Sequence, residues 1–175
     1  MGRKLFLLMI FLMIINPNVY AADSVKIGIV DFREFMKGSI AGKAVQEKIR
    51  QRREQLKIEL NKEKAGIQEL QKRYKREAPL WDKKKKEEKK RQFQARLVDF
   101  RILKEKKEKE FKQFRFKLIA ELEADVLDYA EKIATEKGYR LIIEKQSGRV
   151  LYFHSTMNVT DELIRGHDAL KRNKK

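Results

Sequence analysis

Between residues 43 and 137 apolar side chains recur with an alternating three-four spacing, interrupted by one glycine, Gly66, and one proline, Pro79. Ile49, Arg53, Leu56, Leu60, Glu63, Ile67, Leu70 and Tyr74 trace one seam. Phe93, Leu97, Phe100, Lys104, Lys107, Phe111, Phe114 and Leu118 trace a second, which Leu122, Val126, Tyr129 and Ile133 continue after a stutter. Two such seams joined by a turn predict an antiparallel helical hairpin. Several seam positions are charged, so the packing should be loose. At about 1.5 Å per residue each helix reaches roughly 55 to 75 Å. So narrow an apolar face cannot close a globule, and the hairpin must project as an arm. Ala78-Pro79 disfavours helix, yet the midpoint of the arm lies near residue 90. Either Pro79 is a kink with the tip just beyond it, or the return helix is longer and bent; the tip is expected between 78 and 88.

The flanks change rhythm. Val25 to Asp31 alternates with β-branched residues and reads as a strand. A short helix follows over Phe32 to Met36, Gly38 breaks it, and Ser39 is placed to cap the long helix. Gly138 should stop the return helix. Tyr139–Lys145 and Arg149–His154 then predict a β-hairpin turning at Gln146-Ser147-Gly148. Thr160 should cap a last helix that fades before Lys171.

The chain thus divides into a discontinuous head (22–40 and 138–170), an arm (41–137) and a basic tail (171–175). The expected class is α+β, a small β-rich head bearing a coiled-coil-like arm. Ile27, Ile29, Val30, Leu141, Ile143, Leu151 and Phe153 are the head positions expected to build its core. A head of about 50 residues and about three strands is marginal alone, so it should complete itself by self-association. Its open strand edges point the same way.

Met1 to Ala21 reads as a secretory leader: Arg3 and Lys4, an apolar run from Leu5 to Ile15, and small-residue cleavage at Val19-Tyr20-Ala21. The apolar run is well short of the ~20 residues that cross a bilayer, so cleavage near Ala21 and a soluble exported chain are expected. With no cysteine, disulfides, thiolate chemistry and lipid attachment at a cysteine are excluded.

Charge sharpens the picture. The chain carries 43 basic and 26 acidic residues, a formal net charge of +17. Nucleic acid, anionic lipid and acidic protein are the usual partners of such a chain, and export argues against nucleic acid. The sign is also segregated. Residues 72–117 hold 20 basic and 8 acidic side chains, whereas 118–137 hold 2 basic and 6 acidic. Solubility alone needs no such segregation. Lys72, Arg73, Arg76, Lys83, Lys84, Lys85, Lys86, Lys89, Lys90 and Arg91 are accordingly the candidate contact residues, joined by Trp81 beside the break. Tyr74 and Phe93 are expected to fill the seam and Trp81 to be exposed.

Nothing suggests catalysis. Gly38-Ser-Ile-Ala-Gly-Lys-Ala44 is one residue short of a phosphate loop and has Ala44 where a magnesium-binding hydroxyl belongs. It reads better as a small-residue helix start packed on the head. His154 and His167 have no ligand spacing with acids or thiols. No enzyme activity, cofactor or metal is expected.

Lys26-Ile-Gly-Ile-Val-Asp31, Ser39-Ile-Ala-Gly-Lys-Ala44, Gly138-Tyr-Arg-Leu-Ile-Ile-Glu144 and Val159-Thr-Asp-Glu-Leu-Ile164 stand in this order around a basic hairpin behind a leader. In that arrangement the chain resembles the Skp/OmpH family of periplasmic outer-membrane-protein chaperones over its mature length. The resemblance implies a jellyfish-like homotrimer with a shared β-barrel body. Its arms would enclose unfolded outer-membrane β-barrel proteins without ATP and keep them from aggregating. The basic arm could also meet lipopolysaccharide or an anionic lipid surface. The alternative is a coiled-coil structural protein that tethers layers of the cell envelope.

Overall fold

The computed structural model describes residues 25–173. The leader, its cleavage site and the last two lysines lie outside the described residues. The elements run β1 (Ile27–Val30), α1 (Phe32–Gly38), α2 (Ile40–Glu77), a 3-10 turn (Ala78–Leu80), α3 (Lys83–Lys137), β2 (Leu141–Glu144), a second 3-10 turn (Ser155–Met157) and α4 (Thr160–Asn173).

Helix α2 has 38 residues and α3 has 55, and together they form the arm. Their antiparallel register is fixed by contacts across the seam. Arg96 bonds Glu63 at 2.7 Å, Lys107 reaches Glu59 at 3.0 Å, and the Arg53 guanidinium lies 5.8 Å from the Phe111 ring centre. The seam positions Arg53, Glu63 and Lys107 therefore have partners across the hairpin, whereas Lys104 pairs with Glu108 on its own helix. Of the α2 seam side chains only Ile67 is buried, and the others are half-buried or exposed.

The chain reverses over Ala78–Asp82. Pro79 sits in the 3-10 turn, where its missing N–H costs least. Asp82 then caps α3 by accepting the Lys85 N–H at 2.7 Å. At the other end Gly138, in the left-handed conformation (φ 70°), stops α3.

Strands β1 and β2 pair in parallel, with Ile27 opposite Leu141 and Val30 opposite Glu144. Parallel neighbours require a crossover, and here the crossover is α1 and the whole arm. The expected β-hairpin does not form. The Gln146-Ser147-Gly148 turn exists, held by the Glu144 carboxylate, which accepts the Gln146 and Ser147 N–H groups. Arg149 then takes a positive φ of 49° and leads the chain off the ladder. Apart from the Val150 N–H, which donates to the Lys145 carbonyl at the turn, residues 150–154 join no ladder, and Leu151 is 100% exposed. Among the described residues the head is thus less β-rich than expected, with two strands of four residues each.

Two helix-end expectations also change. Thr160 does not use its hydroxyl on its own helix; the Oγ1 accepts the Asp31 N–H at 2.9 Å, tying α4 to the end of β1. Helix α4 continues through Lys171 to Asn173, and basic side chains suit its C-terminal dipole.

The core gathers Val30, Phe35, Val159 and Leu163 with Leu122, Val126 and Ile133 of α3. The stem of the return helix is therefore part of the head's interior. The Gly38–Ala44 segment is explained by packing. Ser39 Oγ accepts the Gly42 N–H at 2.9 Å, and a Cβ on Gly42 would lie 2.4 Å from the Met36 carbonyl oxygen. Only glycine permits that approach.

Candidate functional site

The candidate cations occupy one end of the arm, on the last turns of α2 and the first turns of α3. Lys72, Arg73, Arg76, Lys83–Lys86, Lys90 and Arg91 are exposed, and Lys89 is half-exposed. Arg76 contacts Glu77 at 3.7 Å, and Lys89 donates to Gln92 at 3.1 Å. Among the described residues, none of the other candidate cations has a carboxylate within ion-pair distance.

Their placement costs local stability. The first turn of α3 holds four lysines and no acid, against the positive end of the helix dipole. A cation there is disfavoured by roughly 0.3–1 kcal/mol at an exposed site. Helix α4 follows the favourable rule instead, with Asp161 and Glu162 in its first turn. The Asp82 cap is what holds the first turn of α3.

Trp81 departs from expectation. It is half-buried, its ring edge-on to Tyr74 at 5.5 Å between centroids, with Lys85 5.9 Å from its centre. The exposed apolar side chain at the tip is Leu80, at 86%. Tyr74 and Phe93 are half-buried. An indole beside a helix break has an aromatic partner about two turns earlier, and that partner was legible in Tyr74.

Leu97, on the seam, is still 41% exposed, and other exposed apolar side chains of α3 lie where no seam placed them. Val98 (50%), Ile102 (58%) and Phe116 (75%) sit on α3 about half a turn away from Phe100, Phe111 and Phe114. They face away from α2. Phase relative to the seam was the signal that could have found them.

The head positions separate. Ile29 and Val30 are buried in the protomer, Ile27 and Ile143 are half-buried on the sheet, and Leu141 and Leu151 are exposed. Phe153 is half-buried with Lys145 5.9 Å from its ring centre. A groove of about 800 Å³ opens between the sheet and the α3 stem. Its floor is Val30, Val126, Ala130, Ile142 and Leu163, and Arg33, Glu123, Glu131 and Glu144 also line it. Burial pushes the Glu144 carboxyl up, but the Ser147 hydroxyl and N–H and the Gln146 N–H outweigh it and hold the group below its ordinary value.

A charged cluster ties the arm to α4. Lys171 bonds Asp125 at 2.5 Å, which holds the Asp125 carboxyl low despite partial burial, and His167 Nε2 lies 3.5 Å from the same oxygen. The His167 ring is edge-on to Phe35 and to Tyr129. Among the described residues no group of acids, histidines or cysteines could hold a metal ion, and no helix is long and apolar enough to cross a membrane.

No curated protein sequence matches the chain. The fold is similar to the crystal structure of a protein assigned as an outer membrane chaperone (OmpH-like) from Caulobacter crescentus CB15. The TM-score is 0.74 at 16% identity, over 83% of this chain and 85% of that one. At that identity the likeness speaks for the fold. The family model for outer membrane protein (OmpH-like) matches residues 26–166. With most of its length in that match, the chain belongs to the OmpH-like family.

Proposed function

We propose that the protein is an exported chaperone that holds unfolded outer-membrane β-barrel proteins without ATP and keeps them from aggregating. Membership of the OmpH-like family and the likeness to an outer membrane chaperone support the chaperone role. The observation that carries the binding mode is the tip. Lys83–Lys86 stand in the first turn of α3, against the dipole and without carboxylate partners among the described residues. Charge kept where it opposes the local fold is most simply explained by use.

Such a tip would draw in acidic unfolded chains over long range, and several arms would hold them by multivalency. The arms would come from a homotrimer, in a periplasmic compartment reached through the leader. Ile29 and Val30 serve the protomer core, which leaves Val25, Ile40, Leu141, Leu151 and Tyr152 as exposed apolar head residues available to other copies. The same cations would attract anionic lipid headgroups or lipopolysaccharide. Release requires only that the client's own fold compete in the outer membrane.

The test uses the mature chain, a urea-denatured outer-membrane β-barrel protein and light scattering after dilution. Suppressed scattering, with a trimer and a client complex in sedimentation, is expected. A monomer that leaves scattering unchanged refutes the proposal and favours an envelope tether.

A further inference from the structure

The basic tip is not the only surface on the arm without a partner. Val98, Ile102 and Phe116 project from the face of α3 opposite α2, each at least half exposed. Val98 and Ile102 are one turn apart, and Phe116 follows about 21 Å further along. Leu127 continues the line and lines the head groove. Ordinary solvated faces scatter single apolar residues, but these share one phase on a helix otherwise dense in charge.

We infer that this outer face of α3 is a second binding surface, which grips separated apolar side chains of an extended, net-acidic polypeptide. The inference rests on the function proposed above and assigns apolar client contact to Val98, Ile102 and Phe116, away from the tip. Spacing and charge select this occupant. A helix from a second copy would need apolar residues every three or four positions. Between Ile102 and Phe116 the same face presents Glu105, Lys109 and Gln113 instead, so a zipper cannot form there. An extended chain can skip that interval and place apolar side chains at either end. Lys109 on the face and Arg101, Lys106 and Lys112 beside it are all exposed, which suits acidic residues between the client's apolar ones.

The two surfaces respond differently to salt. Exposed charge pairs are screened, whereas apolar contact is not weakened by added salt. The test replaces Val98, Ile102 and Phe116 together by glutamine, a good helix former. It measures suppression of scattering by a denatured outer-membrane β-barrel protein at low and high salt. The triple variant should match the wild type at low salt and lose protection several-fold at high salt, with unchanged helicity and sedimenting mass. Replacing the three by methionine should keep protection. A glutamine variant that protects as well as the wild type at high salt overturns the inference and leaves the chaperone reading standing. A fall in sedimenting mass assigns the face to a second copy and overturns it as well. A wild type that fails to protect at either salt overturns both.

Discussion

Asp168 Oδ1 accepts the backbone N–H of Ile40 at 2.9 Å, so helix α4 supplies a cap to the helix that starts the arm. One turn along α4, Lys171 bonds Asp125 on the stem of α3. The same short helix therefore grips the roots of both arm helices, from residues more than 120 positions away in one case. Both bonds resist rotation of the arm about the head. Ser39 shares the capping at α2, since its Oγ accepts the Gly42 N–H.

Asp168→Ala should lower the stability of the head by about 1 kcal/mol, the usual cost of losing a helix cap. Asp168→Asn retains an acceptor oxygen and should lose only part of that. Urea unfolding followed by circular dichroism separates the two. Hydrogen exchange should locate the loss at the first turn of α2, with the tip unaffected.

Gly42 and Gly66 lie on the same helix and should respond oppositely to alanine. A Cβ on Gly42 meets the Met36 backbone at 2.4–2.7 Å, so α1 and α2 must part. Overpacking of this kind costs roughly 1–3 kcal/mol, more than alanine's helix propensity returns. At Gly66 a Cβ meets nothing within 4 Å. Gly66→Ala should stabilise the arm by about 0.5–1 kcal/mol. Thermal melts of the two variants should move in opposite directions.

Local signals were the legible ones. The seams, Ser39 and Gly138 are written in spacing and in single residues, and α2, its cap and the end of α3 follow them. The outer segments depend on partners distant in sequence. Residues 149–154 alternate like a strand, but the ladder offers β2 the edge of β1, with 110 residues between them. Thr160 looks like a cap until Asp31 takes its hydroxyl. At the tip the basic cluster was legible from composition, whereas Asp82 as the start of α3 was obscured by four lysines where an acid is usual. The exposed face of α3 was legible only indirectly, in the phase of Val98, Ile102 and Phe116 relative to the seam of Phe100, Phe111 and Phe114.

Asp31 links acid sensitivity to the head. Burial pushes its carboxyl up, but the Glu34 and Arg33 N–H groups and the Lys145 ammonium at 3.1 Å outweigh this and hold it below the ordinary value. A carboxyl lower in the folded than in the unfolded chain stabilises the fold above the unfolded value, near pH 4. That stabilisation is lost as pH falls through the lower, folded value. Asp31→Asn should therefore be less stable than the wild type at neutral pH, and the two should converge in strong acid. Urea midpoints from pH 7 down to 2 would show this, and parallel curves would remove Asp31 from the acid response.

Charge reversal at the tip should move stability and capture in opposite directions. Lys83, Lys84, Lys85 and Lys86 occupy the first turn of α3 and oppose its dipole. Glutamates in their place would complement it, and Asp82 would still accept the Lys85→Glu backbone N–H. Each exposed first-turn charge is worth roughly 0.3–1 kcal/mol, so the distal arm should become more resistant to fraying and to proteolysis near Trp81. If the tip holds acidic clients, the same variant should bind them more weakly at low salt, and its salt dependence should flatten because fewer attractive pairs remain to be screened. A structural role alone predicts the gain in protection without any loss of capture. Limited proteolysis and client binding measured on the same preparation decide between them: a sturdier arm with undiminished low-salt capture would show that these four lysines do not hold the client.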